Sequence, residues 1–200
     1  MIAMAFVACV PPEPAPETEP VETTPGPTGT LTTPDVPFGP VNEWWHAADR
    51  SIPPGLAGTG WADDDIAYDF TLMDQHGDLV QLYQFYGTVI VLDIVAMWAG
   101  PCADNAPIYE DWVFTEAAGQ PISWLALIIE GENGPPKDED AVLWAETHGL
   151  NHAVLADTTR TEIAYATDPF PTLVVIDPTM HIWHTDMTPV DFQAILDLAQ

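Results

Sequence analysis

Residues 88–102 read TVIVLDIVAMWAGPC. Thr88–Val95 is a nearly unbroken β-branched and aliphatic run, the pattern of a central strand covered on both faces. A tight turn follows, and Pro101 suits the first turn of a helix because its missing N–H is one of the donors a helix start leaves unpaired anyway. Cys102, Ala106, Tyr109 and Val113 then recur at i, i+4, i+7 and i+11, an apolar stripe on that helix. Pro107 is expected to kink it. A buried strand running into a helix predicts an α/β unit with Ala99, Gly100, Pro101 and Cys102 at the turn. Asp93 interrupts the apolar strand. A carboxyl there is costly to bury unless it is hydrogen-bonded, exposed or used to relay protons.

The flanking segments continue the alternation. Ala67–Met73 and Leu79–Leu82 enclose Asp74-Gln75-His76-Gly77-Asp78, a hairpin signal. Downstream, the pattern predicts a strand over Ile122–Ile129, an acidic Gly/Pro loop over Gly131–Pro136 and a helix over Asp138–His148. A strand (Ala153–Ala156), a short helix (Thr161–Ala166) and a strand (Thr172–Ile176) come next. The chain closes with a turn at Asp177-Pro178-Thr179, a strand over Met180–His184 and a helix from Thr188 with Asp191 in its first turn. The expected architecture is a mixed central sheet with helices on both faces, preceded by an N-terminal β-hairpin.

Three separated motifs stand in order: VIVLDIVAMW leading into AGPC, Pro107 five residues after the cysteine, and Phe170-Pro171-Thr172 leading into LVVIDPTMHIWH. Together they resemble the thioredoxin-fold redoxins, and within them the TlpA-like thiol-disulfide oxidoreductases. DFTLMDQHGDLVQL is similar to the N-terminal hairpin that this group shares with peroxiredoxins. The resemblance spans roughly residues 66–200 and implies a protein or peptide thiol/disulfide partner and no cofactor. In that group a first Cys, its thiolate favoured by the helix N-terminus, attacks a disulfide, and a second Cys resolves the adduct. The attacking position here is Ala99, which cannot attack, and the resolving position is Cys102. The resemblance makes Trp98 the aromatic residue before the motif and Asp93 the proton acceptor for the resolving Cys. Pro171 matches the cis-proline that, between Phe170 and Thr172, presents backbone to a bound peptide. Trp98, Ala99, Gly100, Pro101, Phe170, Pro171 and Thr172 thus form the implied binding surface.

Against a peroxiredoxin, Ala99 replaces a Thr, Val95 replaces an upstream Pro, and Arg160 is the only downstream Arg. Two readings therefore stand: single-cysteine redox chemistry at Cys102, or a redox-inactive peptide- or protein-binding module. Cys102 itself reads either as a retained reactive thiol or as a small buried hydrophobe.

Composition bounds the rest. Three Lys+Arg against 31 Asp+Glu give a net charge of −28, which repels phosphate backbones and excludes nucleic acid as a partner. With only two cysteines there is no disulfide framework. No metal site is expected: His181 and His184 fall on opposite faces of their strand, and Asp63-Asp64-Asp65 reads as a solvated charge run. No apolar run reaches the length of a membrane span. Residues 1–10, MIAMAFVACV, end in Phe6-Val7-Ala8-Cys9 and resemble a lipoprotein signal with its lipobox. That implies export to a bacterial cell envelope, with the membrane reached only through lipid at Cys9. Residues 11–40 are a Pro/Glu/Thr-rich tether that cannot bury enough apolar surface to fold. Residues 41–60 are a lead-in carrying Trp44, Trp45 and His46, expected to pack on the domain at 61–200.

Overall fold

The computed structural model describes residues 42–44, 52–160, 165–166 and 169–200. The segment 1–10 with Cys9, the tether 11–40, Trp45, His46 and most of the expected helix Thr161–Ala166 lie outside the described residues. Seven strands and three α-helices follow in order: β1 (Thr71–Asp74), β2 (Leu79–Gln81), β3 (Val89–Ala96), α1 (Gly100–Phe114), β4 (Ile122–Glu130), α2 (Asp138–His148), β5 (Ala153–Ala156), β6 (Thr172–Ile176), β7 (Ile182–His184) and α3 (Phe192–Leu198). A 3-10 turn covers Leu82–Phe85.

The strands form one mixed sheet in the order β2-β1-β5-β4-β3-β6-β7. β3 lies near its centre, parallel to β4 and antiparallel to β6. All eight of its residues are buried, as a strand covered on both faces must be. Side-chain alternation divides the core. Ile90, Leu92 and Ile94 join Leu125, Leu127 and Leu155 under the 3-10 turn, Phe70 and Tyr165. Val89, Val91 and Val95 face the other way, toward Cys102, Ala106, Tyr109 and Trp112 of α1, Trp144 of α2 and Ile195 of α3. Among the described residues, the three α-helices thus lie on one face, and the 3-10 turn and Tyr165 on the other. β4 and β5 continue the sheet in one direction from β3 as parallel strands, and the right-handed rule for such crossovers accounts for both crossover helices lying on the same side.

Several boundaries differ from the sequence expectation, for local reasons. The last helix begins at Phe192, not Thr188: Pro189 has no N–H to give, and Asp191 supplies the cap, its carboxylate accepting from Ala194 N at 3.0 Å. β1 begins at Thr71 because Ile66 and Ala67 pair instead with the turn before β7, through an Ile66–His181 bridge and Ala67 N to Met180 O. β7 starts late because Asp177–Met180 is a turn in which Asp177 Oδ1 accepts from Thr179 N and His181 N. Along α1 the buried stripe is Cys102, Ala106, Tyr109 and Trp112, with Val113 half-buried at its edge. α2 matches its expected bounds and ends where Gly149 adopts φ 68°, a left-handed cap that a side chain would strain.

The lead-in is tied to the hairpin. Asn42 and Gln84 exchange side-chain amide hydrogen bonds, both 2.9 Å. Trp44 Nε1 donates to Asp74 Oδ2 at 2.6 Å, and its ring stacks on His76. Asp74 is buried, and its other oxygen accepts from His76 N and Asp78 N, which closes the β1–β2 turn.

Candidate functional site at the AGPC turn

β3 ends at Ala96, and the chain turns through Met97, Trp98 and Ala99 into α1. Ala99 caps the helix with extended backbone but offers no side-chain acceptor. Gly100 and Pro101 occupy the exposed first turn, and Cys102 turns inward with only 3% of its surface exposed. Ala99 is 6% exposed. The turn therefore shows solvent a backbone loop and the Pro101 ring, with no sulfur at its tip.

Asp93 projects from the helix-facing side of β3 and is buried. Burial pushes its carboxyl up to about 7, and the Trp124 indole draws it back only in part. Neither Asp93 Oδ1 nor Trp124 Nε1 closes a hydrogen bond. Burial likewise pushes the Cys102 thiol up to about 11; the backbone at Ala96 lowers it, and a charge on Asp93 raises it further. Tyr109, further along the same helix, is raised by burial and by charge on Asp93 and on Cys102. A helix N-terminus normally favours a thiolate. Here desolvation outweighs it, and Cys102 stays protonated at neutral pH.

Above the turn lies a second group. The Phe170–Pro171 peptide is cis, Pro171 and Thr172 are buried, and Phe170 meets Trp98 edge-on with ring centroids 5.9 Å apart. Trp98 is 56% exposed. A groove of about 490 Å³ runs beside them, walled by Pro101, Ile108, Tyr109, Phe170, Pro171 and Pro189. The structure thus brings Trp98, Gly100, Pro101, Phe170 and Pro171 to one surface and sets Asp93 and Cys102 behind it.

Sequence reasoning missed what holds Trp98. Its indole N–H donates to Glu130 Oε2 at 2.7 Å, while Arg160 Nη2 donates to Glu130 Oε1 at 3.0 Å. Glu130 reaches this place through the β3–β4 register, which shifts so that Ala96 stands opposite Glu130. No spacing in the sequence links residues 98, 130 and 160. Asp63 and Asp65 also do more than carry charge: Asp63 Oδ1 accepts from Thr185 N, and Asp65 from Ala62 N and the Thr59 hydroxyl. His181 and His184 are exposed.

No helix of the described residues is long and apolar enough to cross a membrane. No curated protein matches the sequence. Solved structures match through their fold. A candidate thiol-disulfide oxidoreductase from Bacteroides vulgatus superposes with a TM-score of 0.57 at 19% identity, over 70% of this chain and 98% of that one. A candidate thiol:disulfide interchange protein DsbE from Chlorobium tepidum gives 0.56 at 22% identity, over 68% and 99%. A thioredoxin family thiol:disulfide interchange protein from Chlorobium tepidum TLS gives 0.52 at 18%, over 66% and 92%. At these identities the likeness establishes a thioredoxin-like fold. The AhpC/TSA family pattern matches residues 64–185, well over half the sequence, and the chain belongs to the AhpC/TSA family.

Proposed function

We propose that this protein is a thioredoxin-fold binding module for extended polypeptide, in which thiol turnover has been lost. The observation that carries this reading is the position of the lone sulfur. Cys102 is buried behind Ala99 with its thiol raised to about 11, and nucleophilic attack needs an accessible thiolate. The surface around it keeps the features of a peptide-binding site: exposed Trp98, the Phe170–Pro171 turn and the adjoining apolar groove. The domain layout follows the sequence: residues 1–10 direct export and lipid attachment at Cys9, 11–40 tether, 41–60 lead in, and 61–200 bind. This places the module outside the cytoplasm, facing a protein or peptide partner.

A second reading rests on Asp93. With its carboxyl near 7 it could accept the Cys102 proton, after which the thiolate would attack a partner's disulfide, forming one mixed disulfide and releasing one partner thiolate. Alkylation decides between the two. Iodoacetamide labelling of Cys102 at pH 8 is expected to be at least a hundredfold slower in the native protein than in denaturant. Comparable rates would restore the single-cysteine reading. Binding is tested with reduced, fully alkylated α-lactalbumin, an unfolded chain without thiols: NMR shifts at Trp98, Ile108 and Phe170 are expected, weakened in Trp98→Ala. A titration that leaves those signals unmoved would remove the binding reading.

A further inference from the structure

The groove beside the Phe170–Pro171 turn is apolar inside and acidic at its rim. No residue of its wall carries a charge, and four of them, Pro101, Pro169, Pro171 and Pro189, have no backbone N–H to donate. Ile108, more than half exposed, and the rings of Tyr109 and Phe170 supply apolar surface. Such a wall seats an apolar side chain and gives an anion little to bind.

Carboxylates border it on two segments. On α1, Asp104 and Asp111 stand four residues before Ile108 and three after it, the spacings that make side chains neighbours on a helix, and both are exposed. A rise of 1.5 Å per residue sets them about 10 Å apart along the helix, with Ile108 between. On the segment that leads to Pro189, Asp186 is exposed, and its Oδ1 accepts at 2.9 Å from the hydroxyl of Thr188, a wall residue. Among the described residues, the Lys and Arg side chains are those of Lys137 and Arg160, and both are engaged elsewhere. Lys137 lies 3.6 Å from Glu139, and Arg160 lies 3.0 Å from Glu130. The rim is therefore a patch of negative charge around an uncharged floor, in a chain of net charge −28.

On the polypeptide-binding reading of this groove, we propose that its occupant is an extended segment of a basic partner, with an apolar residue seated on Ile108 and Phe170 and Lys or Arg on either side reaching Asp104, Asp111 and Asp186. Each exposed ion pair is worth little alone. Three carboxylates of one sign act together on the choice of partner: they admit a basic segment and repel an acidic one. The glutamate-rich residues 11–40 of this chain are of the repelled kind.

The test uses the full chain and three capped peptides with a shared Leu-Phe-Leu centre, flanked on each side by two lysines, two glutamines or two glutamates. In NMR titrations at about 0.05 M NaCl the lysine peptide is expected to shift Ile108, Phe170 and Val190 and to bind at least tenfold tighter than the glutamate peptide, with the glutamine peptide between them. At about 0.5 M NaCl that ratio is expected to fall below threefold. Asp104→Asn, Asp111→Asn and Asp186→Asn together are expected to bring the lysine and glutamine peptides within twofold of each other. Asp78→Asn, Glu116→Gln and Glu146→Gln, which remove three charges from other surfaces, are expected to keep the tenfold preference. Equal binding of the lysine and glutamate peptides, a preference that survives in the rim variant, or one lost equally in the control variant overturns the proposal and leaves the polypeptide-binding reading standing. Shifts at Ile108 and Phe170 that follow protein concentration alone give the groove to a second copy of this chain and also overturn it. If none of the three peptides moves the groove signals, both the proposal and that reading fall.

Discussion

Asp93 and Cys102 form a buried pair in which each group is more stable uncharged: desolvation raises both, and a charge on Asp93 raises the thiol further. In a dithiol enzyme such an acid would serve a thiolate that reacts. On the proposed reading, with Ala99 in the attacking position, the acid and the resolving thiol both remain but the adduct they would resolve does not form, so Asp93 becomes chiefly a stability liability.

The pH dependence follows from that. The Asp93 carboxyl is raised from 3.8 to about 7 in the folded chain, so between those values the folded state holds a proton that the unfolded state has released. Stability therefore falls as pH rises from about 4 to about 7, by roughly 4 kcal/mol from this group, and is level above. Asp69, also raised by burial, adds to the same slope, and Glu110, which is lowered, opposes it. Asp93→Asn is expected to be more stable than wild type at pH 8, by about 2 kcal/mol or more, with little difference at pH 4. Urea midpoints at pH 4, 6 and 8 check this; an equal slope in both proteins would show that Asp93 is not the source.

On the proposed reading Ala99 stands in the attacking position, and a cysteine placed there tests how much of the machinery survives. Ala99 caps α1 and Cys102 lies three residues on, with Cys102 N bonded to Ala99 O at 3.0 Å. Ala99→Cys is expected to form a disulfide with Cys102 under oxidising conditions and to gain insulin-disulfide reduction from a wild-type background of none. Thiol counting and insulin turbidity measure the two steps separately. Disulfide formation without turnover would show that the groove no longer seats a substrate disulfide.

Much of this was readable beforehand, and the rest was not for identifiable reasons. α2, β5 and β6 match their expected bounds, because each pattern is local: an acidic first turn, a Gly cap, short β-branched runs. Cys102, Asp93 and Pro171 carry their places in motifs that survive in one dimension. The Trp98–Glu130–Arg160 cluster does not, because it depends on strand register and on a shift after Val95. The His152–Glu110 pair, 42 residues apart in sequence, is hidden for the same reason. The question left open at Cys102, reactive thiol or buried hydrophobe, turned on burial, which periodicity placed on the inner stripe but could not measure.

The docking of the lead-in predicts a stability effect outside the domain motif. Trp44 donates to buried Asp74 and stacks on His76. Removing it leaves Asp74 with two backbone donors and uncovers the hairpin. Trp44→Ala is expected to cost about 2 kcal/mol, and Trp44→Phe, which keeps a ring for stacking but no N–H, about half of that. Urea unfolding of the two variants separates the hydrogen bond from the packing.

Glu130 separates positioning from stability at the site itself. It is partly exposed, and its ion pair with Arg160, whose side chain is 38% exposed, is screened by water, so its loss should change stability by less than about 1 kcal/mol. The same carboxylate, however, accepts from the Trp98 indole N–H, and Trp98 shapes the edge of the proposed binding surface through its contact with Phe170. Glu130→Ala therefore frees the ring without unfolding the sheet beneath it. The expected result is a urea midpoint near wild type with at least fivefold weaker binding of alkylated α-lactalbumin, while Glu130→Gln, which can still accept from the indole, retains most of the affinity. Equal binding in all three proteins would mean that Trp98 contributes surface but not a fixed orientation, and the burden of recognition would then fall on the Phe170–Pro171 side of the groove.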